Sequence, residues 1–478
     1  PDDSSTRETL DFNKFIYRKY NYSKPEIAVQ AEMENDFTLL LESDDKYGRY
    51  AWEVLSNSLC YAADLVPEVN ESLVAIDDAM KLGYNWIQGP FEMIDSIGVN
   101  NFIKRLEKEN RSVPKILHVA RNKSFYRIEN NKLQYLLATG KYENLKREEG
   151  TRRFSEEKRT KKPLFSNKVA SYFEINDDIG MVEFHSKANA LDGESMKLLS
   201  DAIDHSEINH RGMVIHNDAS HFSCGVNLER IADFIEVCDW VGLDAFLEHF
   251  QKTVKKMKYS SIPVISAPSG LSIGGGFEVV LHTDASIYHA NSVTGLVESL
   301  VGVVPGGGGV KEILYRWFDI KKNETEAAWK TFMNIGYGKT AQSPLQGQEL
   351  AMFIEGRDEF VMNRDRLLDA AIIKVDQLKN NYSPTYRGNL SMPGRDIWQK
   401  MKKWLMDAHK KGFLTPHDVT TGTQIAMIVT GGDIDEGTIM NEDDIFGLER
   451  KAFLSLAKTN ETKQRIKHML AYGKPLRN

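Results

Sequence analysis

The 478-residue chain lacks most of the features that mark metal-binding, membrane or nucleic-acid proteins. Its three cysteines, Cys60, Cys224 and Cys238, have no metal-ligand spacing and are too few for a disulfide framework, which favours a reducing, cytoplasmic setting. No apolar run approaches the roughly 20 residues that a membrane-spanning helix requires. The net charge of -7 arises from interspersed acidic and basic residues, so no broad basic surface for nucleic acid is expected.

Motifs for targeting and for dinucleotide binding are missing as well. The chain opens with Pro1 and has neither an initiator methionine nor a signal-peptide pattern, so a fragment of a longer protein is expected. No strand followed by a G-x-G-x-x-G turn and a helix precedes the first helical region. We therefore expect no bound NAD and no other cofactor or metal in this chain.

Composition and periodicity predict several domains. The apolar fraction of 41% supports sizeable cores, and the length exceeds what one core usually serves. Helical periodicity dominates residues 1–140, whereas residues 141–168 carry dense charges of both signs and predict a solvated linker, with a docking surface for another subunit as the alternative. Short β-rich runs alternate with helical stretches over residues 169–320, which predicts an α/β domain, and residues 321–478 return to helical patterning. The clearest predicted strands are 179–184, 212–216 and 263–267.

Two glutamates twenty residues apart stand in glycine-punctuated apolar segments. Glu278 follows three glycines and Phe277, and Glu298 lies between Val297 and Ser299. Two carboxyl groups in apolar surroundings can act as a general acid and a general base, because burial brings their protonation towards balance near neutral pH. The simpler alternative is a tight helix–sheet contact at the glycines with Glu278 at an exposed helix start.

Two turns of small residues could expose backbone N–H groups. Residues 223–225 and 274–276 leave room for close approach, which an oxyanion hole requires. If the amides of Cys224 and Gly275 converge, they would hydrogen-bond a thioester oxygen, and the Cys224 thiol would be incidental. We expect His216 and His221, which flank the first turn, to have structural roles.

These segments, in this order and spacing, resemble the crotonase (enoyl-CoA hydratase/isomerase) superfamily over roughly residues 169–318. The matching segments are residues 187–191, 222–227, 274–278, and 298 with 302 and 305–308. The resemblance implies an oxyanion hole made by the N–H groups of Cys224 and Gly275. It also implies that Glu278 orients and deprotonates a water and that Glu298 protonates the α-carbon.

The resemblance further implies how the substrate is held. Contacts with the CoA thioester are implied at Ala188, Ala190, Gly225, Val226 and Asn227. Two positions depart from the family pattern, because Asn227 stands where many relatives have aspartate and Ser269 stands where Asn or His is common. Neither position carries the water chemistry, so these departures concern acyl-chain and CoA contacts.

The implied function is hydration of 2-enoyl-CoA to 3-hydroxyacyl-CoA in fatty-acid β-oxidation. The same glutamates could instead support Δ3,Δ2-enoyl-CoA isomerisation, and a non-catalytic scaffold is the alternative from another class. Residues 75–99 resemble the helical C-terminal domain of 3-hydroxyacyl-CoA dehydrogenases, and this domain order resembles that of bacterial fusion proteins.

The expected fold is therefore multidomain. It comprises an all-α dehydrogenase-type domain, an α/β crotonase-like domain with a ββα spiral, and a helical C-terminal extension. NAD binding and oxidation are expected only of a dinucleotide-binding domain outside this chain. The implied partners are acyl-CoA thioesters, further copies of the chain and a thiolase.

Overall fold

The computed structural model describes residues 8–20, 23–34 and 36–478. The chain divides into unit 1, Pro1–Lys146, and unit 2, Arg147–Asn478. In the described ranges, no helix combines the length and the apolar character needed to cross a membrane.

Unit 1 is mainly helical but contains two small antiparallel sheets. Its helices are α1 (Glu26–Met33), α2 (Thr38–Glu42), α3 (Lys46–Asp64), α4 (Leu73–Tyr84), α5 (Pro90–Ile97), α6 (Val99–Lys108) and α7 (Lys115–Val119). Its strands are β1 (Glu8–Asp11), β2 (Ile16–Lys19), β3 (Tyr126–Glu129), β4 (Lys132–Leu136) and β5 (Tyr142–Asn144). The expectation of an all-helical domain does not hold here. Strands β3 and β4 meet at Asn130 and Asn131, whose φ values of 51° and 57° suit a tight hairpin turn.

A buried carboxyl group links the helices of unit 1 to its three-stranded sheet. Asp77 of α4 is fully buried, and its Oδ1 accepts the N–H of Phe91 at 2.8 Å. Its Oδ2 accepts the hydroxyl of Tyr126 at 2.7 Å. Burial raises the pKa of Asp77 to about 7, although both donors oppose the rise. Both oxygens of Asp77 thus have hydrogen-bond donors inside the fold.

Unit 2 is built on a mainly parallel sheet. Its strands are β6 (Phe165–Ser166), β7 (Ala170–Asn176), β8 (Ile179–Phe184), β9 (Gly212–His216), β10 (Val264–Ala267), β11 (Leu271–Ile273), β12 (Ala285–His289), β13 (Val293–Gly295), β14 (Thr340–Ala341), β15 (Glu359–Val361), β16 (Leu390–Ser391) and β17 (Ile439–Met440). The main sheet has the strand order β15-β12-β10-β9-β8-β7-β6. Strands β8, β9, β10, β12 and β15 run parallel, whereas β6 and β7 extend the sheet antiparallel.

Helices cover this sheet and extend to the end of the chain. They are α8 (Phe154–Glu157), α9 (Gly193–Asn209), α10 (Leu228–Glu236), α11 (Trp240–Lys258), α12 (Gly275–Leu281), α13 (Gly309–Lys321), α14 (Glu324–Gly336), α15 (Pro344–Glu349), α16 (Leu367–Leu378), α17 (Gly394–Lys410), α18 (Pro416–Thr430), α19 (Glu442–Ala457) and α20 (Asn460–Tyr472). Successive strand residues enter opposite cores: Val182 and Ile215 lie in one, and their neighbours Met181 and Val214 lie in the other. The α/β class predicted for this region is confirmed.

The segment predicted as a linker, residues 141–168, is divided between the two units. Strand β5 pairs with β4 in unit 1, and β6 pairs with β7 in unit 2. Phe154 of α8 is fully buried, and Arg153 forms an ion pair with Asp365 at 2.6 Å. Several of the charges in this segment are therefore paired within the fold.

The C-terminal helices share a core with the sheet. Ile425 of α18, Phe453 of α19 and Ile466 of α20 belong to the same buried cluster as the β8 and β9 residues Val182 and Ile215. Strand β15, which lies in the region predicted as a helical extension, pairs with β12 at the edge of the main sheet. The extension therefore contributes both helices and strands, β14 to β17, to unit 2.

Candidate active site

Two parallel strands bring the predicted glutamates into one region. Strand β11 leads through Gly274 into α12, which carries Glu278, and β13 leads into a 3-10 turn that begins at Glu298. The two strands pair in parallel register, and the Gly274 N–H donates to the Gly295 carbonyl at 2.9 Å. Because parallel strands end at the same edge of a sheet, the segments that follow β11 and β13 lie side by side.

Gly274 permits the close approach of these segments. Its φ of 53° and ψ of −134° lie in a region that side chains disfavour. A Cβ atom at this position would also lie 3.2 Å from Oε1 of Glu298. The next residue, Gly275, opens α12, so its N–H has no intrahelical acceptor and remains available to a ligand.

The Glu278 carboxylate is buried and held through one oxygen. Only 2% of the residue is exposed, and its Oε1 accepts the N–H groups of Gly307 and Gly309, both at 2.8 Å. These glycines lie at the start of α13, where the helix dipole also favours negative charge. The other oxygen, Oε2, lies 2.8 Å from the position that a Cβ on Gly307 would take, so the glycine leaves it room.

Glu298 has a different environment. Both of its carboxyl oxygens are buried, and neither has a hydrogen-bond partner among the described residues. Its backbone is fixed, because its carbonyl accepts the N–H of Val303 at 3.2 Å. A buried carboxyl group with two unsatisfied oxygens is costly for folding, so it marks a place where a water or a ligand can bind.

The two carboxyl groups differ in their proton affinity. Burial raises the pKa of Glu278 to about 7, and the amides of Gly309 and Gly307 partly oppose this rise. Burial raises the pKa of Glu298 well above its ordinary value, and the charge of Glu278 raises it further. Of the two groups, Glu278 therefore gives up its proton more readily, and Glu298 retains its proton more strongly.

Both glutamates line one cavity of about 190 Å³. Cys224, Gly225, Val226 and Gly275 line the same cavity. The rest of the lining is mainly apolar, from α10, α11, the turn after β13 and the C-terminal helices: Leu228, Ile231, Phe246, Leu247, Phe250, Ile273, Gly274, Val297, Leu300, Val301, Val303, Gly306, Gly307, Phe453, Ile466 and Met469. The cavity therefore joins an acid/base pair to a hydrophobic compartment.

The first small-residue turn lies against the second. A Cβ on Gly225 would lie 3.6 Å from the amide nitrogen of Gly275, so the two turns are adjacent. The N–H of Cys224, however, donates to the Ala188 carbonyl at 3.1 Å. Both residues predicted to form the oxyanion hole thus line the same cavity. The N–H of Cys224 is already bonded to Ala188, whereas the N–H of Gly275 has no acceptor within its helix. Burial also raises the pKa of the Cys224 thiol, which makes it a poor nucleophile.

Of the residues predicted to contact the CoA thioester, some line the cavity and others do not. Gly225 and Val226 line the cavity, whereas Ala188, Ala190 and Asn227 are not among its lining residues. Ala188 lies in a 3-10 turn, and the Ala190 carbonyl accepts the Ser186 hydroxyl at 2.6 Å. The Asn227 side chain caps α10 by accepting the N–H of Glu229 at 3.0 Å.

The two flanking histidines are bonded within the fold. His216 Nε2 pairs with Asp218 at 2.8 Å, and His221 Nδ1 accepts the Leu271 N–H at 3.3 Å. Neither lines the cavity. In the described part of the chain, no cluster of three or more His, Cys, Asp or Glu side chains is arranged to hold a metal ion.

Sequence reasoning missed several residues of the site. The amides of Gly307 and Gly309 hold Glu278, but the motif indicated only a glycine-rich turn there. Phe453, Ile466 and Met469 line the cavity from helices α19 and α20, far along the chain. Their only sequence signal was helical periodicity, which predicts a buried face but not the surface against which it packs.

Comparison with known proteins finds a family match for part of the chain. Residues 174–336 match the family model described as enoyl-CoA hydratase/isomerase. This range contains Glu278, Glu298, Cys224 and Gly275.

The full chain also has longer relatives. A Bacillus subtilis (strain 168) protein named "Probable 3-hydroxyacyl-CoA dehydrogenase" is 33% identical over 443 residues, which is 92% of this chain and 56% of that protein. A Rickettsia felis protein whose name includes "fatty acid oxidation complex trifunctional enzyme" is 26% identical over 467 residues, 96% of this chain and 57% of that protein. The chain thus spans about half the length of the curated relatives it matches.

Among solved structures, an enoyl-CoA hydratase from Bacillus halodurans is 17% identical with a TM-score of 0.43, covering 62% of this chain and 97% of that structure. The sequence comparisons thus identify an enoyl-CoA hydratase/isomerase segment at residues 174–336, in a chain that is homologous to proteins named for 3-hydroxyacyl-CoA dehydrogenase and for fatty acid oxidation.

Proposed function

We propose that unit 2 hydrates 2-enoyl-CoA thioesters to 3-hydroxyacyl-CoA. The observation that carries this proposal is that Glu278 and Glu298 line one apolar cavity together with the Gly275 amide. The names of the relatives support it, because 3-hydroxyacyl-CoA, the product of hydration, is the compound on which a 3-hydroxyacyl-CoA dehydrogenase acts.

In the proposed reaction, Glu278 gains a proton and Glu298 loses one. Glu278, as the carboxylate, takes a proton from a water while the hydroxide adds to the β-carbon of the double bond. The electron pair of the double bond moves towards the thioester oxygen, and Glu298, as the acid, gives its proton to the α-carbon. After the product leaves and water re-enters the cavity, a proton passes through that water from Glu278 to Glu298 and restores both groups, so that one water is consumed per turnover.

Hydrogen-bond donors must stabilise the negative charge that grows on the thioester oxygen. Gly275 lines the cavity, and its N–H lies at the start of α12, where the helix dipole adds to its effect. The N–H of Cys224 would become the second donor once its bond to the Ala188 carbonyl opens.

The apolar part of the cavity suits an acyl chain. Leu228, Ile231 and Phe246 line one part of it, and Ile466 and Met469 line it from α20. Such a lining would bind hydrocarbon without directed contacts and would exclude bulk water from the two carboxyl groups, which strengthens the electrostatic effects between them.

The geometry favours hydration over Δ3,Δ2-isomerisation. Isomerisation moves one proton between two carbons, for which a single carboxylate is enough, whereas hydration requires a group on the water and a group on the carbon. Both Glu278 and Glu298 reach the cavity, and their pKa order provides one base and one acid.

The test is the hydration of crotonyl-CoA by the full chain, followed by the loss of the enoyl absorbance. We expect hydration by the unmodified chain, and a loss on the order of 10²–10⁴-fold in kcat for Glu278→Gln and for Glu298→Gln. Conversion of 3-enoyl-CoA to 2-enoyl-CoA without hydration would favour the isomerase. Undiminished hydration in both variants would contradict the proposed mechanism.

A further inference from the structure

The turn that holds Glu278 donates to two carboxyl groups in alternation. The N–H groups of Gly307 and Gly309 bind Oε1 of Glu278. Between them, the Gly308 N–H binds Oε2 of Glu449 at 2.8 Å, and the Lys311 N–H binds Oε1 of Glu449 at 2.6 Å. Both carboxyl groups therefore lie at the N-terminus of α13, and each uses amides that the other does not.

Glu449 comes from a distant part of the chain. It lies on α19, is fully buried, and is absent from the residues that line the cavity. Gly308, which it binds, has a φ of 100°, a left-handed conformation that glycine adopts more readily than other residues. By accepting the amides of Gly308 and Lys311, Glu449 constrains the same turn whose Gly307 and Gly309 amides hold Glu278.

We propose that Glu449 is a positioning residue: it holds residues 307–311 in the conformation in which Gly307 and Gly309 donate to Glu278. This inference rests on the proposed role of Glu278 as the base in hydration. Without the contacts of Glu449, the Gly308 and Lys311 amides lose their acceptors, and the turn is free to rotate its neighbouring amides away from Glu278.

The surroundings of the two carboxyl groups are highly charged. Burial raises the pKa of Glu449 well above its ordinary value, and the charge of Glu278 raises it further. The other titratable groups around the pair come from α11, α12, the 3-10 turn, α13 and α19: Lys258, His282, Glu298, Lys311, Glu312 and Glu442. A negative charge on Glu449 raises the pKa of Glu278, so loss of that charge alone would lower this pKa, opposite to the change expected from movement of the turn.

Glu449→Gln tests the inference through a pH profile. A glutamine side chain has one acceptor oxygen, which can accept only one of the two backbone N–H groups. Its NH₂ group faces the other N–H as a second donor, so one of the two hydrogen bonds is lost. If the turn then moves, Glu278 loses donors that favour its charged form and its pKa rises. We expect the acidic limb of the kcat/KM profile to move to higher pH by about 1 unit, with kcat/KM about tenfold lower on that limb.

The direction of the shift separates the explanations. Ile445→Ala is the matched control, because Ile445 is a fully buried α19 residue that lines no part of the cavity. It is expected to lower the thermal stability of the protein without moving the pH profile. An unchanged limb in Glu449→Gln, or a shift to lower pH as expected from removal of a negative charge alone, would overturn the inference. Should Glu449→Gln fail to fold, Glu449→Asp, whose shorter side chain cannot span both amides, is expected to show the same upward shift.

A readout that needs no turnover keeps this test separate from that of the proposed function. The full chain is labelled with ¹³C at the glutamate carboxyl carbon, and Glu278→Gln identifies the resonance of Glu278. Its titration midpoint is expected to rise in Glu449→Gln. If the unmodified chain does not hydrate crotonyl-CoA, the proposed function fails, whereas a Glu278 midpoint unaffected by Glu449→Gln contradicts the positioning role alone.

Discussion

Asp77 in unit 1 and Glu278 in unit 2 are buried carboxyl groups whose pKa is raised by burial to about 7. Each accepts two hydrogen bonds from its own unit. They differ in what lies beside them: Asp77 uses both of its oxygens on fold contacts, whereas Glu278 uses one oxygen and lines a cavity. A raised pKa therefore does not by itself identify a catalytic group.

Glu298 makes the difference clearer, because its two oxygens are buried without a partner among the described residues. The fold supplies hydrogen-bond donors to both oxygens of Asp77 but to neither oxygen of Glu298. The unused acceptors therefore lie at the cavity. All three carboxyl groups are buried, but only Glu278 and Glu298 line a cavity and have carboxyl oxygens without a donor in the described part of the chain. These two properties distinguish the candidate catalytic carboxyl groups from the structural one.

The largest expected effect is on activity. Glu298→Gln is expected to lower kcat for crotonyl-CoA hydration by about 10²–10⁴-fold, because the amide cannot supply the proton to the α-carbon. The matched variant, Asp77→Asn, is expected to leave kcat unchanged, since Asp77 does not line the cavity. Steady-state rates of the folded variants provide the measurement. Equal losses in both variants would remove the distinction between the two carboxyl groups.

The second effect concerns pH and stability. The pKa of Asp77 is raised in the folded state from 3.8 to about 7. Its contribution to stability is therefore complete below about pH 4 and is lost as the pH rises towards 7. We expect the stability of unit 1 to fall by on the order of 4 kcal/mol over this range, relative to Asp77→Asn, which cannot titrate.

Hydrogen exchange of peptides from α4 and α5 at increasing urea concentration measures this change within unit 1. The Asp77→Asn protein is the reference at each pH, so that the titration of other groups cancels. A stability difference between the two proteins that stays constant from pH 4 to pH 7 would show that Asp77 does not titrate in this range.

A third variant tests how completely Asp77 is satisfied. Tyr126→Phe removes the hydroxyl that donates to Asp77 Oδ2, and loss of a partner by a buried carboxyl group costs about 1–3 kcal/mol. Tyr135→Phe is the control, because the Tyr135 hydroxyl donates at 3.1 Å to an exposed carboxylate, that of Glu143. The same exchange experiment is expected to show a clearly smaller change for Tyr135→Phe.

The strands could be predicted where they are long and apolar. Strands β8 and β9 have the predicted bounds of 179–184 and 212–216, and β10 begins one residue after the predicted start at residue 263. Strands β14 and β15 have only two and three residues, too few for periodicity to be recognised. The three-stranded sheet of unit 1 was missed because its signal is the Asn130–Asn131 turn rather than an apolar run.

At the site, local patterns were informative and distant contacts were not. The glycines before Glu278 are adjacent to it in sequence, so a motif could indicate both together. Glu449 lies 141 and 138 positions from Gly308 and Lys311, the residues whose amides it accepts, and no local pattern connects them. Likewise, the engagement of the Cys224 amide by Ala188 depends on the packing of two loops.

The smallest expected effect concerns Asn227, a residue predicted to contact substrate. Its side chain accepts the Glu229 N–H as the cap of α10, so its acceptor is used by the fold, as those of Asp77 are. Asn227→Ala is expected to destabilise the protein by about 1 kcal/mol, whereas Asn227→Asp, which can also cap the helix, is expected to be close to neutral. Thermal unfolding gives the stability, and the KM for crotonyl-CoA reports on substrate contact. If KM rises for Asn227→Ala but not for Asn227→Asp, the side chain at position 227 has a second role in binding. A side chain that is already bonded within the fold would then still contribute to the site.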